Sequence, residues 1–234
     1  MARRFLAEDR CGRCFLRKES CLCLDLPLLR LLHTRLTVIM HAAEFKSTTN
    51  TGRLLQLAIP ECQIVLRGEK ENRFSGLCFD EPTVLFLYPT PDSIELTPHW
   101  VAALPKPIHL VVPDGTWRQA AKVYRREPSL QRARPVKLMP GPISGYHLRT
   151  PPQPHCLSTV EATARALGLW EGEAVQKALE NLFALMVKRT LETRTPDSWR
   201  AKGLVRNAAG DFIRQEKTSP AGESRPQVSA LTSC

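Results

Sequence analysis

The sequence has 234 residues, of which 43% are hydrophobic, and its 33 Lys and Arg against 23 Asp and Glu give a formal net charge of +10. A hydrophobic share of this size argues against a disordered chain and fits one packed core. No apolar run reaches transmembrane length and the charged start has no signal-peptide core, so we expect a cytoplasmic protein in a reducing compartment. The charge favours a polyanion, most commonly nucleic acid, as partner rather than a membrane, although a merely basic soluble protein remains the alternative.

Four of the eight cysteines lie close together near the amino terminus, in the pattern C-x2-C-x6-C-x-C. Two pairs of thiolates can surround one tetrahedral ion, so the pattern predicts a structural zinc knuckle within residues 1–30. Its ligands would be Cys11, Cys14, Cys21 and Cys23. The second pair is one residue closer than in the usual knuckle, which leaves a redox dithiol or plain buried cysteines as alternatives. Three basic residues of the same loop would offset the thiolate charge: Arg13, Arg17 and Lys18.

Short apolar stretches alternate with segments of helical spacing along the rest of the chain. The predicted strands are 36–40, 62–66, 83–88, 108–112 and 136–139, and the predicted helices are 53–58, one from 117, one from 158 and 174–192. This alternation favours an α/β domain with a mostly parallel sheet and flanking helices over residues 31–205. Residues 67–80 form a charged surface connection, and 206–234 are expected to be a disordered tail because hydrophobic spacing is lost there.

The segment 108–117 contains the first candidate for a functional residue. Pro113 is expected to end the strand and Gly115 permits a tight turn, which places Asp114 in the turn at the carboxyl end of a buried strand. Ligands of open α/β sheets bind at that edge. An Asp in such a turn is also a common helix cap, so both roles stay open.

Two polar segments are expected at the same edge of the sheet. One has His41 and Glu44 at the end of the first strand, followed by a run at 47–51 that a capping loop explains at least as well as direct chemistry. The other is the S-x-x-E capping box formed by Ser158 and Glu161, a helix start that also attracts carboxylates or phosphates.

A run of basic residues follows the Asp114 turn, with Glu127 as the single acid among them. Such a run is often only a solvated face, but its position beside the turn makes a phosphate-binding face an equal alternative. The basic residues are Arg118, Lys122, Arg125, Arg126, Arg132, Arg134 and Lys137.

These motifs occur together in one order, and in that order the sequence resembles the DTW domain family over about residues 11–190. Asp114-Gly115-Thr116-Trp117 fits the family's name. The other matching positions are the four knuckle cysteines; His41, Glu44, Asn50, Thr51, Arg53 and Leu54 in an H-x2-E-x5-N-T-x-R-L block; Leu148-Arg149-Thr150-Pro151-Pro152; and Leu157-Ser158-Thr159 with Glu161-Ala162. Each motif alone is weak, and the specificity lies in their shared order.

The resemblance implies a tRNA-uridine aminocarboxypropyltransferase, which moves the 3-amino-3-carboxypropyl group of S-adenosylmethionine to N3 of a uridine in tRNA and leaves methylthioadenosine. It also implies a SPOUT-like fold with a trefoil knot, which the spacing of the elements does not indicate. tRNA is then the partner, and no obligate protein partner is evident. The alternatives are a methyltransferase that uses the same co-substrate on RNA and a non-enzymatic RNA-binding zinc module. A hydrolase is disfavoured because no G-x-S-x-G elbow is present.

Asp114 is the expected general base for the N3 proton, with Thr116 and Trp117 beside it; Trp117 would either stack on the base or anchor its helix. S-adenosylmethionine is expected at Leu87, Tyr88, Pro89, Val112, Pro113, Asp114, Gly115, Arg149, Leu157, Ser158, Thr159 and Glu161. The uridine and the tRNA phosphates are expected at His41, Glu44, Asn50, Thr51, Arg53, Arg118, Lys122, Arg125 and Arg126, although His41 is equally well explained as a structural histidine. The zinc knuckle is expected to lie far from the transfer chemistry.

Overall fold

The central feature of the fold is a sheet of six parallel strands. The computed structural model describes residues 9–45, 47–68, 77–149, 156–207 and 209–215. The strands are β1 (Thr34–His41), β2 (Gln63–Arg67), β3 (Thr83–Leu87), β4 (Ile94–Glu95), β5 (Ile108–Asp114) and β6 (Arg134–Lys137). They lie in the order β2-β1-β5-β3-β6-β4, and every neighbouring pair is parallel. The predicted α/β class is therefore confirmed.

Helices flank this sheet. In the described ranges they are α1 (Ala42–Phe45), α2 (Gly52–Ala58), α3 (Pro98–Ala102), α4 (Trp117–Arg126), α5 (Thr159–Glu171), α6 (Glu173–Glu192) and α7 (Pro196–Arg200). The sequence predicts α2, α4, α5 and α6, but α1, α3 and α7 have only four or five residues and show too little periodicity to be recognised. No helix in the described ranges is both long and apolar enough to cross a membrane.

Each face of the sheet has its own apolar core. Leu110 and Val112 of β5 pack on one face with residues of α2, α5 and α6. Val111 of β5 and Phe86 of β3 pack on the other face with residues of α4. Strands that are covered on both faces become continuous apolar runs, which is why β3 and β5 are recognisable in the sequence.

β5 extends beyond its predicted end. Pro113 and Asp114 still pair with β1, opposite Ile39 and Met40, so the expectation that Pro113 ends the strand is wrong. Pairing with β3 stops at Val111, and beyond it β5 has an open edge on that side, where a residue without an N–H is tolerated. Asp114 therefore belongs to the strand itself, and the turn begins after it.

The expected disordered tail begins too early. A two-stranded antiparallel hairpin joins β7 (Leu204–Arg206), at the end of the predicted domain, to β8 (Phe212–Arg214), which lies within the predicted tail 206–234. Phe212 is buried against Trp199, with 5.5 Å between the ring centroids. Residues 216–234, like 69–76 in the predicted surface connection, lie outside the described residues. The strand order does not test the trefoil knot, which stays a prediction.

Candidate functional site

Asp114 lies where three separate parts of the chain meet. Its Oδ2 accepts a hydrogen bond from Asn50 Nδ2, and its Oδ1 accepts one of 2.6 Å from the hydroxyl of Thr159 at the start of α5. Gly52 lies directly against the carboxylate, because a Cβ at that position would come 2.7 Å from Asp114 Cγ. The carboxylate thus joins the end of β5 to the starts of α2 and α5, and this edge of the sheet is our candidate active site.

The Asp114 side chain is more enclosed than the sequence suggests. Only 6% of the residue surface is exposed, and both carboxylate oxygens already have donors. Burial raises the pKa of Asp114, and the hydrogen bonds from Thr159 and Asn50 offset part of that rise. The sequence predicts the position of Asp114 at the edge of the sheet but not how enclosed its carboxylate is. Each oxygen could accept a second hydrogen bond, but the enclosure of the side chain means that a neighbouring group such as Thr159 has to move before a substrate reaches it.

Asn50 explains why α2 begins beside Asp114. Its Oδ1 accepts a 2.8 Å hydrogen bond from the Arg53 amide, which is the bond of a helix cap, while its Nδ2 donates to Asp114. Thr51 is buried at the same helix start but makes no side-chain cap bond. Within the predicted capping loop, Asn50 is therefore the side chain that caps α2, and the same side chain fixes the carboxylate.

Glu44 and Arg149 form an ion pair with each other. Glu44 Oε2 and Arg149 Nη2 are 2.6 Å apart, and the same nitrogen lies 3.2 Å from Ser47 Oγ and 3.3 Å from Thr49 Oγ1. The Tyr146 hydroxyl donates to the Thr49 carbonyl, which closes this cluster. Arg149 was expected to take the carboxylate of S-adenosylmethionine, but in this structure it holds a protein carboxylate instead. The following Thr150-Pro151-Pro152 of the predicted motif lies outside the described residues.

The start of α5 is a complete capping box. Ser158 Oγ accepts from the Glu161 amide, and Glu161 Oε2 accepts from the Ser158 amide at 2.9 Å. Glu161 also accepts from Ser144 Oγ at 2.7 Å and from the Gly145 amide at 2.8 Å. The predicted box is thus present, but both oxygens of Glu161 are used within the protein. Glu161 holds the loop and the helix in place, and direct contact with a co-substrate is not its role in this arrangement.

The residues beside Asp114 on α4 are also used structurally. Thr116 caps α4, because its Oγ1 accepts from the Gln119 amide while Gln119 Oε1 accepts from the Thr116 amide. The Trp117 ring packs 5.7 Å from the Tyr88 ring, and the Trp117 carbonyl accepts a 3.3 Å hydrogen bond from the Tyr88 hydroxyl. Thr116 and Trp117 were expected among the catalytic residues. The contacts of Trp117 favour the anchoring alternative, and Thr116 has a capping role that the sequence analysis did not consider.

The other predicted co-substrate and uridine residues surround the same edge. Leu87 at the end of β3 and Val112 and Pro113 near the end of β5 are buried, while Pro89, Gly115 and Leu157 are half-buried. His41 Nδ1 accepts a 3.2 Å hydrogen bond from the Ala43 amide, which agrees with a structural histidine at the end of β1.

The basic residues divide into two groups. Arg118, Arg125 and Arg126 are exposed and Lys122 is half-buried on α4, the helix that covers the sheet face opposite α5. Arg53 is different, because only 5% of its surface is exposed. Arg53, which was expected to bind a tRNA phosphate, is thus not accessible to one in this conformation.

The four amino-terminal cysteines form one cluster. Cys11 Sγ and Cys23 Sγ are 3.6 Å apart, Cys14 Sγ and Cys21 Sγ are 3.8 Å apart, and all four sulfurs lie within 4.8 Å of one another. A tetrahedral ion with bonds of about 2.3 Å needs sulfurs about 3.8 Å apart, so the predicted zinc ligands fit the ion. Backbone amides of Cys14 and Arg13 lower the pKa of Cys11 to about 6, while burial raises that of Cys23 to about 12.

The knuckle lies against the candidate active site. The guanidinium carbon of Arg53 is 3.7 Å from the centroid of the Phe15 ring, and Phe15 directly follows the metal-ligand candidate Cys14. The backbone of Arg53 bonds to Asn50, which in turn bonds to Asp114. The expectation that the knuckle is far from the site is therefore wrong.

Three residues of the site are not predicted from the sequence. Gly52 falls at the unassigned position of the N-T-x-R-L block, and only its closeness to Asp114 explains it. Ser144 and Tyr146 follow a Pro-Gly-Pro turn that reads as an ordinary surface loop. A serine and a tyrosine between that turn and the Leu148–Arg149 motif are the only signal that the sequence offers.

The structure is that of an α/β protein with a cysteine knuckle. A polar cluster lies at the carboxyl edge of its parallel sheet, and the knuckle packs beside that cluster. The DTW domain matches residues 8–191, and the chain belongs to that family. The chain is 35% identical to tRNA-uridine aminocarboxypropyltransferase 2 of Drosophila melanogaster, over 97% of this chain and 90% of that protein.

Other relatives have related names. The mouse (Mus musculus) tRNA-uridine aminocarboxypropyltransferase 2 is 31% identical over 74% of this chain and 61% of its own length. The Arabidopsis thaliana tRNA-uridine aminocarboxypropyltransferase A is 26% identical over 76% of this chain and 79% of its own. Among solved structures, the SAM-dependent rRNA:acp-transferase Tsr3 of Vulcanisaeta distributa matches with a TM-score of 0.44 and 19% identity, over 78% of this chain and 86% of that one. That likeness is too weak to carry an argument.

Proposed function

We propose that this protein is a tRNA-uridine aminocarboxypropyltransferase, which transfers the 3-amino-3-carboxypropyl group of S-adenosylmethionine to N3 of a uridine in tRNA. Two findings support this activity. The chain belongs to the DTW domain family, and its relatives, among them the Drosophila melanogaster protein, are named for this activity. The observation that carries it at residue level is the meeting of Asp114, Asn50 and Thr159 at the carboxyl edge of the sheet. All three are positions at which the sequence matches the family's motifs.

The reaction needs a base and an orienting site. N3 of uridine carries a proton at neutral pH and becomes a good nucleophile only when that proton leaves. The new N3–Cγ bond then forms as the Cγ–S bond breaks, and the sulfonium sulfur takes the electron pair and leaves as methylthioadenosine. The protein's main tasks are to accept the proton and to hold N3 in line with the Cγ–S bond.

Asp114 is the proposed proton acceptor, through its Oδ1. The donor now bonded to Oδ1 is the hydroxyl of half-buried Thr159, whereas Oδ2 is held by fully buried Asn50. A hydroxyl rotates at little cost, so the N3–H of a bound uridine can replace it as the donor to Oδ1. The raised pKa of Asp114 makes its ionised form a stronger base than an ordinary carboxylate.

The proposed phosphate contacts lie on α4. Arg118, Arg125 and Arg126 are exposed on this helix, which begins three residues after Asp114. Arg118 lies in the first turn of this helix and Arg125 and Arg126 lie in its last turn, so a tRNA that contacts all three would run along the helix from the carboxyl edge of the sheet. The expected cytoplasmic location rests only on this substrate and on the sequence, and it stays a prediction.

The deciding experiment is mass spectrometry of nucleosides from tRNA incubated with the protein and S-adenosylmethionine. Wild type should give an aminocarboxypropyl adduct, and Asp114→Asn should lower its rate by about 10²–10⁴-fold while it still binds S-adenosylmethionine in calorimetry. Near-normal turnover by Asp114→Asn removes Asp114 as the base. A methyl adduct from wild type would establish the methyltransferase instead, and no adduct together with no binding of S-adenosylmethionine leaves the RNA-binding zinc module.

A further inference from the structure

Arg53 is buried without a hydrogen-bond partner for its charged end. Its exposed fraction is 5%, and both Nη1 and Nη2 lack any partner among the residues that the structure describes. The groups that face the guanidinium are the rings of Phe15 and Phe45, whose centroids lie 3.7 and 4.9 Å from its carbon. Aromatic faces attract a cation but compensate only part of the cost of removing it from water. A buried charge of this kind requires a negative partner.

Two sources of negative charge lie near Arg53. Burial lowers the pKa of Arg53, and negative charge on Cys14 or Asp114 offsets part of that effect. Asp114 is already bonded to Asn50 and Thr159, and it makes no ion pair with Arg53. Cys14 belongs to the cluster of four sulfurs, and the stacked ring of Phe15 is its direct neighbour in the chain. Among the residues that the structure describes, the cysteine cluster is therefore the remaining place where the missing charge can reside.

We propose that Arg53 is the buried counter-charge of a metal ion held by Cys11, Cys14, Cys21 and Cys23. A divalent ion with four thiolates has a net charge of about −2, of which the guanidinium, stacked on the ring of Phe15 next to Cys14 in the chain, offsets a part. Both guanidinium nitrogens are enclosed, so a ligand arriving from solvent does not reach them without a rearrangement. The missing partner is therefore better supplied from within, by the metal centre.

The other basic residues of the knuckle are less suited to this task. Arg13 is exposed, and Arg17 forms an ion pair of 3.1 Å with Glu19. Water and salt screen an exposed charge, whereas they screen a buried one much less. Arg53, which comes from outside the knuckle, is thus the arginine whose charge the thiolates feel most strongly.

The same residue couples the metal to the candidate active site. The Arg53 amide donates to Asn50 Oδ1, and Asn50 Nδ2 donates to Asp114. Loss of the metal would leave the guanidinium uncompensated and drive it towards water, which displaces the first turn of α2 and with it the Asn50 cap. The knuckle is then a support of the Asp114 site as well as a structural element.

The test measures zinc affinity of the full-length protein by competition with a chromogenic chelator. Arg53→Met should weaken zinc binding by about 10–100-fold, the usual effect of removing a residue that supports metal ligands. Arg53→Lys, which keeps the charge, should stay within a few-fold of wild type. The matched control is Arg13→Met, which removes one exposed charge from between Cys11 and Cys14 and should change the affinity little.

A second measurement separates this role from simple packing. Zinc should raise the melting temperature of wild type and of Arg13→Met by more than it raises that of Arg53→Met. Equal zinc affinities for Arg53→Met and Arg13→Met, or a wild-type protein that binds no zinc, would overturn the proposal. If Arg53→Met does not fold, Arg53→Gln gives the same comparison with a polar side chain. Zinc affinity does not depend on group transfer, so failure of the proposed function leaves this test intact.

Discussion

The buried position of Asp114 disfavours the charged form of its carboxyl group. Burial raises its pKa, and its two hydrogen bonds, which come from the neutral groups of Asn50 and Thr159, offset only part of the effect. A carboxyl whose pKa is higher in the folded state than in the unfolded state favours folding most when it is protonated. That contribution is complete below the ordinary Asp pKa of about 3.9 and is lost as the pH rises through the raised pKa.

Asp114→Asn should therefore be at least as stable as wild type at neutral pH, although it should lose transfer activity. An amide can accept from Asn50 and donate to the rotated hydroxyl of Thr159, and it carries no charge to desolvate. The difference in melting temperature between variant and wild type should grow as the pH rises from about 4 towards 7. Thermal unfolding at a series of pH values measures it, with exposed Asp92→Asn as a control that should stay flat. A variant that loses stability as the pH rises would contradict the raised pKa.

A side chain at position 52 should destabilise the folded protein. A Cβ would lie 2.7 Å from Asp114 Cγ and 2.9 Å from Oδ2, and the carboxylate cannot retreat because Asn50 and Thr159 hold it. Gly52→Ala should cost about 1–3 kcal/mol through overpacking, more than the gain in helix propensity of at most about 1 kcal/mol. Chemical denaturation measures this, with Gly12→Ala as the control because nothing lies within 4 Å of its Cβ position. Equal stabilities of the two variants would show that Asp114 can move.

At the scale of the elements, the sequence predicts features that depend on neighbouring residues, but it does not predict contacts between distant parts of the chain. The S-x-x-E box and the apolar runs are local, so the start of α5 and the central strands are predicted to within a few residues. The partners of Asp114 are not local, since Asn50 and Thr159 lie 64 and 45 residues from it in the chain. Its burial depends on the strand order, which places β1 beside β5, and no spacing in the sequence contains that order.

The capping box of α5 should be a major source of stability because Glu161 serves more than one element. Glu161→Ala would leave the amides of Ser158 and Gly145 and the hydroxyl of Ser144 without their acceptor. Ser158 is buried and Ser144 half-buried, whereas Gly145 is exposed and its amide can bond to water, so we expect a loss of about 1–3 kcal/mol in the free energy of unfolding. Urea denaturation measures it, and exposed Glu173→Ala on α6 should change stability by less than about 0.5 kcal/mol. A similarly small effect at Glu161 would mean that the 144–145 loop finds other partners.

At the scale of the whole molecule, the knuckle and the sheet form one packed body. Cys14, Leu16 and Leu22 lie in the same apolar core as α5 and α6. Arg189 of α6 donates to the Cys21 carbonyl and pairs with Asp25 at 2.8 Å. The sequence suggests a separate knuckle because its cysteines are close together in the chain, but its contacts are with residues far along the chain. Removal of the metal is therefore expected to loosen the whole domain.

The protein has a net charge of +10, and we expect tRNA binding to depend on where the basic residues lie more than on their total number. Charge reversal at Arg118, Arg125 or Arg126 of α4 should weaken tRNA binding and lower the slope of log affinity against log salt by about 0.7–0.9 for each phosphate that the variant no longer neutralises. Lys177→Glu makes the same change in net charge on α6, across the sheet from α4, where the lysine already pairs with Glu173. Filter binding at several salt concentrations measures both. Equal slopes for the α4 and α6 variants would mean that tRNA responds only to total charge, and α4 would then be an ordinary solvated helix.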